Sequence, residues 1–220
     1  MTRPPLVPVR AWPHSLAATL HDLRSVRALT VIGVATPDST DRTLARALVR
    51  TALCETLAAF LDRPAASITL VSQPGQAIAV KAPIPLSLSL SHAAGVSVAA
   101  LHRGLDVGID VMRLEDGVAA TLDWLRVARD YLGPDVTARL QATSAAECPA
   151  AFVQAWTRLE ACLKCLGLGL TEWSPALAAQ LAICRVTALD FPDRDRTALA
   201  AAGSTASNVV GSIAERASPA

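Results

Sequence analysis

The chain has 220 residues, which at about 100–200 residues per domain allows one domain or two small, closely packed halves. Hydrophobic residues make up 52% and charged residues 18%, so a core can form and global disorder is excluded. A net charge of +1 excludes a nucleic-acid binder held by bulk charge.

Among the 20 basic residues, only Lys81 and Lys164 are lysines. GC-rich codon use explains the excess of arginine. No apolar run reaches the roughly 18 residues of a membrane span. The mean hydropathy of +0.38 comes largely from alanine. The Pro-rich start MTRPPLVPVRAWPHS lacks the apolar stretch of a signal peptide. The cysteines are odd in number and irregularly spaced, unlike a secreted disulfide framework. A cytoplasmic protein is expected, with no membrane and no nucleic acid among its partners.

Residues 1–28 read as irregular with some helical character. The apolar, β-branched run 29–35 predicts a strand. After the turn-like ATPDST, Asp41 can cap a helix to about Leu61, with Leu44, Leu48, Ala52, Leu57 and Phe60 on its buried side. Arg42, Arg46 and Arg50 recur every four residues and form one basic stripe.

Short strands are expected at 67–71, 77–80, 86–90 and 96–101, with a turn at 73–76. LSLSLS alternates strictly, Leu on one face and Ser on the other, as in a half-buried strand. His92 and Gly95 then fall in a turn. A further strand is expected at 107–111, then helix over 121–141 interrupted at Gly133-Pro134. A longer helix is expected over 146–166, ended by Gly167 and Gly169. Weaker strands at 182–189 and 197–202 precede a small, polar tail from about Gly203, expected to fray. The fold class is α+β, with two similar lobes.

Three segments can carry chemistry. Ser89-Leu90-Ser91-His92 runs a strand into a turn with hydroxyls and an imidazole at its tip. Such a turn can hold phosphate, or it can be an ordinary hairpin with a capping His. Asp110 lies inside the apolar strand GIDV, where a carboxylate needs a cation, a metal ion or backbone N–H groups. Glu160 and Lys164 are one helical turn apart, which suits either an exposed salt bridge or a metal–phosphate cleft. Cys162 and Cys165 spell C-x-x-C, but late in a helix rather than at its start, which argues against redox or zinc chemistry. Ser91, His92 and Asp110 lack the G-x-S-x-G elbow of a hydrolase.

Taken in order, LSLSLSHAAGVSVAA, VGIDVM and WTRLEACLKCLGLGL resemble the 4′-phosphopantetheinyl transferase superfamily. That pattern is a strand ending in Ser-His, then G-I/V-D-I/V-E, then W-x-x-K-E-A-x-x-K-x-x-G-x-G-L. The length resembles the larger, Sfp-type class, in which two pseudo-symmetric α/β lobes share one chain that is usually a monomer.

The resemblance implies an N-terminal lobe at 1–105 contacting the CoA nucleotide. It also implies a C-terminal lobe at 106–202 with the metal and pyrophosphate site, and a flexible tail at 203–220. The reaction implied is Mg²⁺-dependent transfer of the 4′-phosphopantetheine arm of coenzyme A to a serine of an acyl or peptidyl carrier protein, releasing 3′,5′-ADP. Fatty-acid, polyketide or nonribosomal peptide synthesis is the implied setting.

Asp110 and Glu160 would ligate Mg²⁺, and Lys164 would contact the pyrophosphate. Arg46, Arg50, Ser91 and His92 would hold the CoA nucleotide end. Glu160 is also the implied general base. Three positions depart from the pattern: Met112 replaces a second acid, Leu159 a lysine, and Gln76 another lysine for which Lys81 is the nearest substitute. The alternative reading is a degenerate member that binds CoA or a carrier protein without transfer.

Overall fold

The structure, a computed structural model, describes residues 6–37, 42–72, 78–114, 123–192, 195–197, 199 and 209–217. Its elements run β1 (Val7–Ala11), α1 (Leu16–Arg24), β2 (Leu29–Ala35), α2 (Arg42–Leu61), β3 (Leu70–Val71), β4 (Ala79–Val80), β5 (Ser87–Ala93), β6 (Val96–His102) and β7 (Leu105–Arg113). They continue α3 (Trp124–Val127), α4 (Pro134–Ala142), α5 (Cys148–Leu166), α6 (Pro175–Leu181), β8 (Arg185–Asp190) and β9 (Val209–Ala217). Between α3 and α4, Ala128–Leu132 forms one wide π-helical turn.

Seven strands build one sheet in the order β5-β6-β2-β1-β8-β9-β7, and β3 and β4 pair separately. The fold is thus mixed α/β around one large sheet. β1 runs parallel to β2 and β8, whereas the outer ladders are antiparallel. One sheet face buries Val9, Val31, Val98, Ile109 and Ile213 in a single apolar cluster drawn from strands across the whole sheet. α1 and α2 cover the opposite face through Leu23, Val49, Leu53 and Leu57. On that second face near β7 and β9, Ala161, Cys162 and Cys165 of α5 pack against Ala214.

Several expectations change. Residues 7–11, read as irregular, form a strand at the centre of the sheet. Pro8 hid it, because proline normally marks an edge. Here β1 pairs with β2 over Val9–Ala11 and with β8 only at Val7 and Pro8, so the proline sits where the ladder changes partner. Residues 209–217, expected within the flexible tail 203–220, form β9 between β8 and β7. Its charged Glu215 disguised it; the carboxylate is only 4% exposed because His102 and Arg185 pair with it. Thr197 and Leu199, expected on a strand, are helical.

α2 has the expected bounds, but its core face is turned by one residue: Leu44 is exposed while Ala45, Val49 and Leu53 are buried. The expected turn at 73–76 and the cap at Asp41 lie outside the described residues.

Candidate active site

α5 owes its place to Gly108. A Cβ there would fall on the carbonyl oxygen of Ala161 and the amide of Cys165. Only glycine lets helix backbone and strand backbone meet this closely. The contact sets the α5 turn bearing Glu160 and Lys164 beside Asp110, two residues along β7. Gly167 then ends the helix in the left-handed region, with φ of 67°.

The serines of β5 hold the other wall. Ser87, Ser89 and Ser91 accept hydrogen bonds from the backbone amides of Val107, Ile109 and Val111 at 3.0, 3.1 and 3.2 Å. The constant offset of 20 residues means that β5 and β7 run parallel. β7 is last in the ladder order, so its outward amides would otherwise lack strand partners. The serine hydroxyls supply those partners, and the two end strands meet. The Ser face of LSLSLS, expected toward solvent, is therefore buried at Ser89 and Ser91.

Asp110 is 7% exposed. Its Oδ1 accepts from the Ser91 hydroxyl at 2.8 Å and from the Lys164 ammonium at 2.7 Å. Lys164 Nζ also donates to the Ile109 carbonyl at 3.1 Å. The cation that a buried strand carboxylate requires is thus Lys164 itself. Among the described residues, nothing donates a hydrogen bond to Asp110 Oδ2 or to the half-buried Glu160. Burial, reinforced by the nearby Asp110 charge, raises the Glu160 carboxyl above its ordinary pKa, against the pull of Lys164.

His92 lies within β5 rather than in the turn, which is confined to Ala94 and Gly95. Its Nδ1 is 2.7 Å from Ser97 Oγ. Burial, then Arg42, Arg46 and Lys164, push its pKa down from 6.5 to about 4. Those three cations converge electrostatically on one neutral imidazole, an arrangement suited to a phosphate. Arg42, a member of the basic stripe outside the expected site set of Arg46 and Arg50, thus joins the site. Arg50 turns elsewhere and donates to the Leu70 carbonyl at 2.9 Å.

The departing positions are also placed. Leu159 is buried in the helical core, and Met112 packs at the edge of the same cluster. Arg158 lines a cavity on another side of α5 and does not replace the missing lysine. Lys81 is exposed, and Gln76 lies outside the described residues.

Residues 106–202 match the family model of the 4′-phosphopantetheinyl transferase superfamily. Over that segment the chain is similar to the superfamily. The matched segment starts at β7 and includes Asp110, Glu160 and Lys164. None of the curated proteins matches the chain. Phosphopantetheinyl transferases use coenzyme A as substrate and, in general, Mg²⁺.

The residues present fit such an ion in part. The described residues contain no group of three metal-ligating side chains. Asp110 Oδ2 and the Glu160 carboxylate accept no hydrogen bond from a described residue, and burial, followed by repulsion from Asp110, raises Glu160. A divalent cation relieves that repulsion, and Mg²⁺ commonly binds through one or two carboxylates and retained waters. No helix among the described residues is long and apolar enough to cross a membrane.

Proposed function

We propose that the protein transfers the 4′-phosphopantetheine arm of coenzyme A to a serine hydroxyl of an acyl or peptidyl carrier protein. The observation that supports this most is the convergence of Asp110, Ser91, Lys164 and Glu160, from three separate segments, beside the cationic surround of His92. In this reading the chain is of the two-lobed, Sfp-type class and works as a cytoplasmic monomer. Residues 1–105 hold the nucleotide end of CoA, and residues 106–202 hold the pyrophosphate.

Arg46, Arg42 and neutral His92 receive the nucleotide phosphate, His92 by donating a ring N–H. Lys164 neutralises a pyrophosphate oxygen. Asp110 and Glu160 are the residues that would hold Mg²⁺, which when bound neutralises charge on the non-bridging oxygens. The carrier serine oxygen forms a bond to the β-phosphorus of CoA. The bond from that phosphorus to the oxygen bridging toward 3′,5′-ADP breaks, and 3′,5′-ADP leaves. Glu160 takes the serine proton, directly or through water; a raised carboxyl pKa moves it in the direction of a better base.

The second reading is a degenerate member that binds CoA or a carrier protein without transfer. Met112 and the buried Leu159 favour it, since each removes a charged group from the family pattern. Incubation with CoA, Mg²⁺ and several apo carrier proteins separates the two by mass spectrometry. Transfer predicts a phosphopantetheine adduct on the carrier serine. No adduct on carriers that a known transferase modifies overturns it.

A further inference from the structure

One cavity lies away from the candidate active site. It encloses about 710 Å³ between α4, α5, α6 and the start of β8, within the ~300–1,000 Å³ range of small-ligand pockets. Asp110, Glu160 and Lys164 are absent from its lining. On α5 it uses Ala151, Ala155, Arg158 and Cys162. At about 100° per residue, Arg158 lies about 200° around the helix from Glu160. The two sites therefore share a helix but not a face.

The walls are mainly apolar, with Leu132, Val136, Leu140, Leu159, Leu181 and Val186 among them. The charged lining residues are Arg139 from α4 and Arg158 from α5, and no carboxylate lines the cavity. Both arginines are exposed, and neither guanidinium has a hydrogen bond or ion pair with a described residue. Arg158 acts electrostatically on the Cys162 thiol, which also lines the cavity. An apolar hollow rimmed by two unpaired cations complements one kind of small molecule: an aliphatic chain ending in an anionic group.

We propose that this cavity is a second binding site, separate from the candidate active site, for a single-chain fatty carboxylate. The chain lies against the aliphatic walls, and the carboxylate meets Arg139 and Arg158 at the rim. This holds whether or not the protein transfers phosphopantetheine.

The test uses sodium dodecanoate below its micelle concentration, with dodecan-1-ol and dodecyltrimethylammonium as matched chains. Calorimetric titration of the full chain should show saturable binding of dodecanoate, weaker binding of the alcohol and none of the cation. Arg139→Gln with Arg158→Gln should weaken dodecanoate about tenfold while leaving the alcohol unchanged. Binding should also change the fluorescence of Trp173, a lining residue, and Trp173→Phe should abolish that change.

Half-buried Cys184 lines the cavity, so dodecanoate should slow its alkylation by maleimide while sparing Cys54, which lies elsewhere. No saturable binding of dodecanoate overturns the proposal. So does equal binding by the double arginine variant, or unprotected Cys184. Concentration-dependent dimerisation that itself shields Cys184 also overturns it, by making a second copy the occupant.

Discussion

α5 presents two basic surfaces that differ in what their charges touch. On one face Lys164 is held by Asp110 and the Ile109 carbonyl, and Glu160 stands beside them. On another, Arg158 has no partner among the described residues and stands at the mouth of an apolar hollow. The first charge is fixed in place by backbone contact through Gly108. The second is free to turn toward whatever arrives. A preorganised cation suits stabilisation of a transition state, whereas a free one suits reversible capture of an anion.

The contrast can be broken by mutation, most severely at the fixed face. Glu160→Gln should lower carrier-protein modification by about 10²–10⁴-fold, the range of a lost general base, with far-ultraviolet circular dichroism unchanged. Retained activity would remove Glu160 from the mechanism. Lys164→Ala should slow transfer or weaken CoA binding. It should also lower the urea midpoint, since Asp110 keeps Ser91 alone as a described partner. Unchanged kinetics with lower stability would make the pair structural.

Gly108→Ala tests the positioning itself. The added methyl drives α5 from β7, so a loss of about 1–3 kcal/mol in urea unfolding is expected, together with lost transfer. Wild-type stability would mean that α5 can shift at no cost.

A smaller effect concerns pH. His92 is held at about 4 in the fold against 6.5 when unfolded, so the unfolded chain takes the proton first. Stability is full above 6.5 and falls as pH drops toward 4. His92→Gln should lessen the fall in urea midpoint between pH 7 and pH 4.5. An identical fall in both proteins would place the acid sensitivity elsewhere. Smallest of all, Arg158→Gln should leave carrier modification within about twofold of wild type, because it touches only the cavity face. A large loss would join the two faces functionally.

The site was more legible than the fold around it. Asp110, Glu160 and Lys164 announce themselves because charges in apolar segments are expensive and need each other. Arg42 was harder to single out, since every member of a four-residue stripe looks alike until the helix is docked. Docking sends Arg50 to the Leu70 carbonyl and brings Arg42 and Arg46 to bear on His92. The burial of the serine face of β5 is hidden in the sequence for a related reason. Alternation identifies the strand, but not whether its polar face meets water or another backbone.

The sequence by itself determined the local elements with clear periodicity, such as β2 and α5, and the residue types of the candidate site. Short-range physics sets these: hydrophobic spacing, helix caps and the cost of lone charges. Tertiary structure alone decided that Pro8 lies in a central strand, that residues 209–217 complete the sheet, and that Ser91 bridges Val111 to Asp110. Each depends on a partner far away in the chain, and burial with that partner outweighs the local preference for a turn, a frayed end or solvent.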